Sequence, residues 1–214
     1  MLRKETVTAG TLELLKDLML DKNLNDFFLV GGTALSLQIG HRISVDVDLF
    51  SRNPFDENKM LVYLESTKGL QLDYQDKNTI KGQISETKVD LITHSYPLVK
   101  PLLLSDGIRL ASLEDIAAMK LNAIVGNGTR LKDFIDIAFL SCYLSFETML
   151  NAYEDKYSTR NPLLALKALS YHHDINFKEP IQMVNGAYSW RPIEKRLSEI
   201  EKFPARIFES LLLS

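Results

Sequence analysis

The sequence predicts an α+β protein in which a mixed β-sheet and its helices occupy the first half and helices alone follow. Short apolar or alternating segments separated by short turns recur up to about residue 105, while helical periodicity with capping residues dominates afterwards. Pro97 and Pro101 lie between the two patterns. We therefore expect two domains, an α+β domain at residues 1–105 and a helical domain at residues 106–214.

The N-terminal elements follow from the spacing of apolar residues. Leucines and a methionine at helical spacing predict a helix at residues 11–19. The apolar run Phe27-Phe28-Leu29-Val30 is short and aromatic, which favours a buried strand, and Gly31-Gly32 ends it. A second helix is expected to start at Thr33.

The next strand is predicted by alternation. Within residues 44–50, Val45, Val47 and Leu49 would point to one side of the sheet and two aspartates to the other. Further elements are expected as a helix at 58–67 and strands at 70–75, 79–84 and 88–93, with hairpin-like turns between the strands.

The second half has helix start and stop signals. Ser112 followed by two acidic residues is typical of an N-cap, and Gly126-Asn127-Gly128 ends that helix. Asn161-Pro162 and Pro192 mark later helix starts. The expected helices cover residues 112–125, 131–144, 163–169 and 192–201.

Composition excludes several classes of protein. The chain has 214 residues, with 25 Lys and Arg against 28 Asp and Glu, so a strongly basic, unspecific nucleic-acid binder is excluded. Cys142 is the only cysteine, which excludes an intrachain disulfide and a Cys-rich zinc site. No apolar run reaches the roughly 18 residues of a membrane span, so we expect a cytoplasmic protein without a membrane partner.

Asp46-x-Asp48 is the most informative motif. Residues two apart on a strand share a face, so both carboxylates would project together. Two neighbouring carboxylates repel unless a cation relieves them, and Mg²⁺ prefers such oxygen ligands. By itself, so short a pattern is more often an acidic strand face.

Two further features change the interpretation of that motif. Gly31-Gly32-Thr33, between a strand and a helix, would let a phosphate approach unpaired N–H groups and a hydroxyl. Asp90, on a later strand, could complete a metal site or accept the proton of an attacking hydroxyl. Together these features predict a phosphate-binding segment beside a metal site, which is what the binding of an NTP with Mg²⁺ requires.

Together these residues resemble a known family. Gly31-Gly32-Thr33-Ala34-Leu35 and His41-Arg42-x-Ser44-x-Asp46-x-Asp48-Leu49-Phe50 look like the opening motif of the nucleotidyltransferase AbiEii/AbiGii toxin family, which belongs to the DNA polymerase β-like nucleotidyltransferase superfamily. Lys88-Val89-Asp90, Lys120-Leu121-x-Ala123 and Arg130-x-Lys132-Asp133-x-x-Asp136-Ile137 continue the resemblance to about residue 140. Superfamily members usually carry Gly-Ser where this chain has Gly32-Thr33, a mild departure that keeps a hydroxyl.

The resemblance implies a fold and a set of site residues. The first domain would be nucleotidyltransferase-like, with Asp46 and Asp48 as metal ligands and catalytic residues. Either Asp90 or the Asp133/Asp136 pair would supply the third acidic group. Lys120 and Asp133 would belong to later catalytic motifs. The nucleotide-binding residues would be Gly31, Gly32, Thr33, Arg42, Ser44 and Asp136.

The leading functional interpretation is a Mg²⁺-dependent nucleotidyltransferase that moves a nucleoside monophosphate from an NTP to a hydroxyl, such as a tRNA 3′ end or a protein side chain. The resemblance adds the role of toxin in a toxin–antitoxin or abortive-infection system, with an antitoxin protein as partner. Two alternatives stay open: a non-catalytic nucleotide-binding regulatory module, and an enzyme that modifies a small molecule such as an aminoglycoside.

Overall fold

The computed structural model describes residues 1–158 and 161–209, which form eight α-helices and seven β-strands. The helices are α1 Ala9–Leu20, α2 Gly31–Ile39, α3 Glu57–Lys68, α4 Leu113–Asn127, α5 Leu131–Leu140, α6 Phe146–Lys156, α7 Pro162–Leu169 and α8 Trp190–Lys202. The strands are β1 Phe27–Leu29, β2 Val47–Ser51, β3 Gln71–Asp76, β4 Thr79–Ile84, β5 Thr87–Thr93, β6 Leu103–Ser105 and β7 Ile108–Leu110. The predicted α+β class is confirmed.

The chain divides into two compact units. The sheet unit comprises Met1–Gly40, Ser44–Pro97 and Leu102–Ala111. The helical unit comprises His41–Ile43, Leu98–Pro101 and the described residues from Ser112 onward. The expected boundary at residue 105 falls between β6 and β7, both of which belong to the sheet unit.

The sheet unit is built on one mixed sheet with the strand order β3-β4-β5-β2-β1-β7-β6. β2 and β5 run parallel at its centre, and β1 pairs with β2 in antiparallel orientation. Val47 and Leu49 of β2 and Val89 and Leu91 of β5 are fully buried on one face. The residues between them, including Asp48 and Asp90, therefore lie on the opposite face.

β2 starts later than predicted. The strand begins at Val47 instead of residue 44, and Val45 is 45 % exposed, so it does not join Val47 and Leu49 in the core. Asp46 is an exposed residue just before the strand. The alternation that would place both aspartates on one strand face holds only from Val47 onward.

α2 starts earlier than predicted, at Gly31 instead of Thr33. Gly31 has φ +69°, a left-handed conformation that an L-residue rarely adopts. The glycine pair therefore forms the first turn of the helix, and the chain passes from β1 into α2 through the single residue Val30.

Three elements escaped prediction. β6 and β7 have three residues each, too few for an alternation to be recognised. α6 does carry a signal, since Phe146, Met149 and Tyr153 recur at helical spacing behind the N-cap Ser145, whose side chain accepts a hydrogen bond from Thr148 N.

In the helical unit, α4, α5 and α7 start within one residue of the predicted positions, whereas α8 starts two residues earlier than predicted. Ser112 caps α4 by accepting a hydrogen bond from Asp115 N at 3.0 Å. Asn161 caps α7 by accepting one from Leu163 N at 2.9 Å, with Pro162 at the first helical position. The segment His41–Ile43 belongs to this unit because its backbone bonds to residues 182–184, through Ile43 N to Gln182 O and Val184 N to His41 O.

Of the described helices, α4 is the longest at 15 residues, and none is long and apolar enough to cross a membrane.

Candidate active site

The start of α2 holds a close contact between Gly31 and Asp48. A Cβ placed on Gly31 would overlap the Asp48 carboxylate, meeting Oδ2 and lying 3.2 Å from Cγ. The backbone supports this approach, because Val30 N donates to Asp48 O at 2.9 Å. The absence of a side chain at Gly31 thus lets the second carboxylate of the Asp46-x-Asp48 motif lie directly against the first residue of a helix.

Thr33 and Ser44 hold the segment that carries Asp46. The Thr33 side chain is buried on α2, and its hydroxyl donates to the Asp46 carbonyl oxygen. Its Oγ1 also lies 3.0 Å from Ser44 Oγ, which is nearly buried as well. Both hydroxyls were predicted to contact the nucleotide, which stays a prediction; in the structure the Thr33 hydroxyl bonds to the Asp46 backbone and Ser44 Oγ bonds to Thr33.

Asp90 and Asp48 lie side by side. The parallel pairing of β2 with β5 places the two residues in register, on the face opposite the buried valines and leucines. Neighbouring strands are about 4.8 Å apart, so the two side chains are adjacent. On the other side of Asp90, the antiparallel pairing of β4 with β5 places Lys81, whose Nζ lies 2.6 Å from Asp90 Oδ2.

Asp46, Asp48 and Asp90 have side chains of the kind that bind a hard divalent cation such as Mg²⁺, because carboxylate oxygens are its preferred ligands. Asp46 is exposed and Asp48 is half-buried against Gly31. Throughout residues 1–158 and 161–209, however, no three His, Cys, Asp or Glu side chains are grouped as a metal site. The chemistry of the Asp46 and Asp48 carboxylates suits Mg²⁺, and their role as metal ligands stays a prediction, whereas Asp90, the third predicted ligand, is bonded to Lys81.

The helical unit contains a buried charge cluster around Asp136. The Asp136 carboxylate, on α5, accepts from Arg42 Nε at 2.8 Å and Arg42 Nη2 at 2.9 Å, and lies 2.7 Å from Lys120 Nζ. Lys120, on α4, also donates to Asp133 Oδ1 at 2.6 Å. His41 Nε2 lies 2.7 Å from Asp136 Oδ1. All five side chains are buried, and we refer to them as the Asp136 cluster.

Mutual compensation keeps the cluster charged. Burial by itself would raise the pKa of Asp136, but the Arg42 and Lys120 cations and the bonds from His41 and Arg42 hold that pKa well below its ordinary value. Burial would lower the pKa of Lys120, but the Asp136 and Asp133 carboxylates raise it. The site therefore holds two cations against two anions.

His41 completes the cluster as a neutral imidazole. Burial is the largest influence and lowers the pKa of His41 in spite of its bond to Asp136. Because an ionised carboxylate can only accept, Nε2 carries the proton, and Nδ1 has no hydrogen-bond partner among the described residues.

The buried cluster contains two residues that were expected to contact the nucleotide, Arg42 and Asp136. Their side chains are 3 % and 0 % exposed and are bonded to each other, and their contact with a nucleotide stays a prediction. Lys120 and Asp133, predicted as catalytic, form an ion pair inside the same cluster, and their role in catalysis stays a prediction.

Sequence reasoning missed Lys81 and His41. For Lys81 a signal existed, because a two-residue turn at Ser85-Glu86 pairs Ile84 with Thr87 and therefore Lys81 with Asp90. For His41 none existed, since its partner Asp136 is 95 residues away in sequence.

Comparisons with known proteins identify one family model and one similar sequence. The family model of the nucleotidyl transferase AbiEii toxin, type IV toxin–antitoxin system, matches residues 13–105 and 67–211. An uncharacterised protein of Aquifex aeolicus is 31 % identical over 185 residues, covering 84 % of each chain.

Two crystal structures from Helicobacter pylori have a similar fold. JHP933 aligns with a TM-score of 0.52 at 16 % identity, covering 93 % of both chains. A structure described as a nucleotidyltransferase aligns with a TM-score of 0.57 at 16 % identity, covering 92 % of this chain and 96 % of the other. At such identity the similarity concerns the fold.

Proposed function

Because the chain belongs to the AbiEii nucleotidyl transferase toxin family, we propose that it is a Mg²⁺-dependent enzyme that moves a nucleoside monophosphate from an NTP to a hydroxyl acceptor. We further propose that it acts as the toxin of a toxin–antitoxin pair and that a separately encoded antitoxin protein is its partner. The acceptors that we consider first are the 3′ end of a tRNA and a protein side chain.

The contact between Gly31 and Asp48 is the observation that supports this proposal most directly. It brings a carboxylate against the first residue of α2, where the helix presents unpaired N–H groups. The N-cap residue is Val30, whose side chain cannot accept a hydrogen bond from them. An anion-binding helix start and a carboxylate are thus adjacent, as a triphosphate carried with a divalent cation requires.

The proposal gives each site residue of the sheet unit a specific role. The N–H groups at Gly31 and Gly32 bind triphosphate oxygens, and the Thr33 hydroxyl fixes the backbone that presents Asp46. Asp46 and Asp48 would hold Mg²⁺, which when bound stabilises charge on the attacking and leaving oxygens. Asp90 supplies a third carboxylate beside Asp48.

The proposed reaction is a displacement at the α-phosphate. The acceptor hydroxyl oxygen forms a bond to the α-phosphorus, and the bond from that phosphorus to the bridging oxygen of the β-phosphate breaks. Pyrophosphate leaves with the electron pair of that bond. The proton of the hydroxyl passes to a carboxylate or to water, and Asp90 is the carboxylate that we assign to receive it.

A direct test separates the proposal from its alternatives. The purified chain is incubated with each α-labelled NTP and Mg²⁺, in separate reactions with total tRNA, a protein mixture and an aminoglycoside, and both label transfer and pyrophosphate are measured. We expect transfer to tRNA or protein that stops when EDTA is added. NTP binding without pyrophosphate release from any mixture would instead indicate a regulatory binding module, and transfer to the aminoglycoside alone would indicate a small-molecule enzyme.

Gly31→Ala is expected to abolish transfer and to destabilise the protein. The new Cβ would displace the Asp48 carboxylate, and the left-handed backbone costs an L-residue roughly 1–2 kcal/mol. Transfer rates and urea unfolding curves measure the two effects.

Gly69→Ala is the matched control for this variant. Gly69 has φ +68°, and a Cβ there would meet no atom within 4 Å. Gly69→Ala should therefore show only the part of the stability loss that comes from the left-handed backbone, with normal transfer. Equal transfer rates for the two variants would contradict the role given to the contact between Gly31 and Asp48.

A further inference from the structure

Lys81, Asp90 and Asp48 form a row across three adjacent strands of the sheet unit. Lys81 of β4 pairs with Asp90 of β5, and Asp90 pairs with Asp48 of β2. Residues directly opposite one another on neighbouring strands point to the same face, with about 4.8 Å between strands. The row is therefore cation, anion, anion.

The other face of the same strands fixes this register. Ile80, Leu91 and Leu49 are fully buried there, and a slip of one residue would move them to the exposed face. Lys81 is consequently held opposite Asp90, although 42 % of its side chain is exposed. Its ammonium lies 2.6 Å from Asp90 Oδ2, and the Asp90 side chain is 24 % exposed.

We propose that Lys81 is a positioning residue that serves as a tethered cation for Asp90 and competes with a divalent metal for that carboxylate. The inference rests on the proposed function, because it assumes that the metal binds at Asp46 and Asp48. Lys81 holds the Asp90 carboxylate aligned beside Asp48 before a metal and an NTP bind.

Electrostatic interactions explain why Lys81 would both align Asp90 and compete with a divalent metal for it. Two adjacent carboxylates repel each other, and the ammonium offsets that repulsion at Asp90. The same ammonium repels an incoming divalent cation and occupies Oδ2, so the metal must displace it to use Asp90 as a ligand. Removing a unit charge about 5 Å from a divalent ion in a mostly hydrated site changes affinity on the order of tenfold.

The test measures Mn²⁺ binding by calorimetry in the absence of nucleotide, so it does not depend on turnover. Lys81→Met is expected to bind Mn²⁺ on the order of tenfold more tightly than the unchanged protein. Lys81→Arg keeps the charge and should stay within about twofold.

The matched control is Lys88→Met, which removes the same charge two residues before Asp90 on the same strand. Lys88 is exposed and pairs with Gln83. Because water and salt screen an exposed charge, its removal should change Mn²⁺ affinity by no more than about twofold.

A background variant tests whether Lys81 acts through Asp90. In an Asp90→Asn protein, adding Lys81→Met should bring a smaller gain in Mn²⁺ affinity than in the unchanged background, since the carboxylate under competition is gone and only the direct repulsion between Lys81 and the metal is removed. An equal gain in the two backgrounds would overturn the inference.

The outcomes distinguish the inference from the proposed function. Mn²⁺ binding by the unchanged protein with no change in Lys81→Met overturns the inference alone. Failure of both proteins to bind Mn²⁺ contradicts the metal site of the proposed function and the inference with it.

Discussion

Asp48→Asn is expected to abolish nucleotidyl transfer and to leave the fold intact. Asparagine has nearly the same volume, so the contact with Gly31 and the pairing of β2 with β5 are preserved. The variant loses the negative charge that would hold Mg²⁺ against the triphosphate. We expect the transfer rate to fall at least about a thousandfold, which corresponds to about 4 kcal/mol of transition-state stabilisation.

The unfolding midpoint of Asp48→Asn shows whether the loss of transfer arises from the site or from a loss of folded protein. Asp73→Asn, at an exposed carboxylate on β3, is the control and should retain full activity. An Asp48→Asn protein with the activity of the control would contradict the proposed mechanism.

The residues of the sheet unit could be found from sequence because their signals are local. Gly31, Asp46 and Asp48 lie within 18 residues of one another, and each carries chemistry that a strand-to-helix turn or a strand edge requires. The approach of Asp48 to Gly31 is not local in this sense, because it depends on how β1 pairs with β2. The sequence pattern therefore predicted the site residues but not the contact between Gly31 and the Asp48 carboxylate.

The functions of single side chains were harder to predict than their positions. The Thr33 hydroxyl follows a glycine pair, which is typical of phosphate contacts, yet Thr33 is buried and bonds to the Asp46 backbone, while the buried Ser44 hydroxyl bonds to Thr33. Arg42 looks like a loop residue in sequence, but a β-bridge to Met183 and a two-pronged bond to Asp136 make it an interior residue. These two contacts of Arg42 join segments that are far apart in sequence, by 94 residues for Asp136. The spacing of apolar residues along the chain cannot predict such contacts.

Asp136→Asn is expected to cause the largest loss of stability among the variants discussed. The Asp136 carboxylate is fully buried and neutralises Arg42 and Lys120 at the same time. With asparagine in its place, two buried cations face the single carboxylate of Asp133, and breaking a buried pair in this way costs about 3–5 kcal/mol. Urea unfolding monitored by circular dichroism measures the change.

The pH dependence of stability provides a second measurement on the same variant. Because the folded pKa of Asp136 lies well below its ordinary value, this carboxylate stabilises the folded state at pH values above about 4, its unfolded pKa. That contribution is lost as the pH falls through the depressed folded pKa. Asp136→Asn should therefore lose less stability than the unchanged protein when the pH is lowered from neutral to about 3.

A double-mutant cycle shows whether the cost arises from uncompensated charge. Lys120→Met alone leaves Asp133 and Asp136 against Arg42 and should also destabilise the fold, but the combination with Asp136→Asn removes one charge of each sign. We expect the double variant to be more stable than the sum of the single losses predicts, by about 0.5–3 kcal/mol. Asp155→Asn, at an exposed carboxylate on α6, should change stability by less than about 0.5 kcal/mol. If Asp136→Asn changed the free energy of unfolding as little as this control does, the Asp136 cluster would not be important for the stability of the helical unit. Strict additivity in the cycle would show that the charges of Asp136 and Lys120 contribute to stability independently.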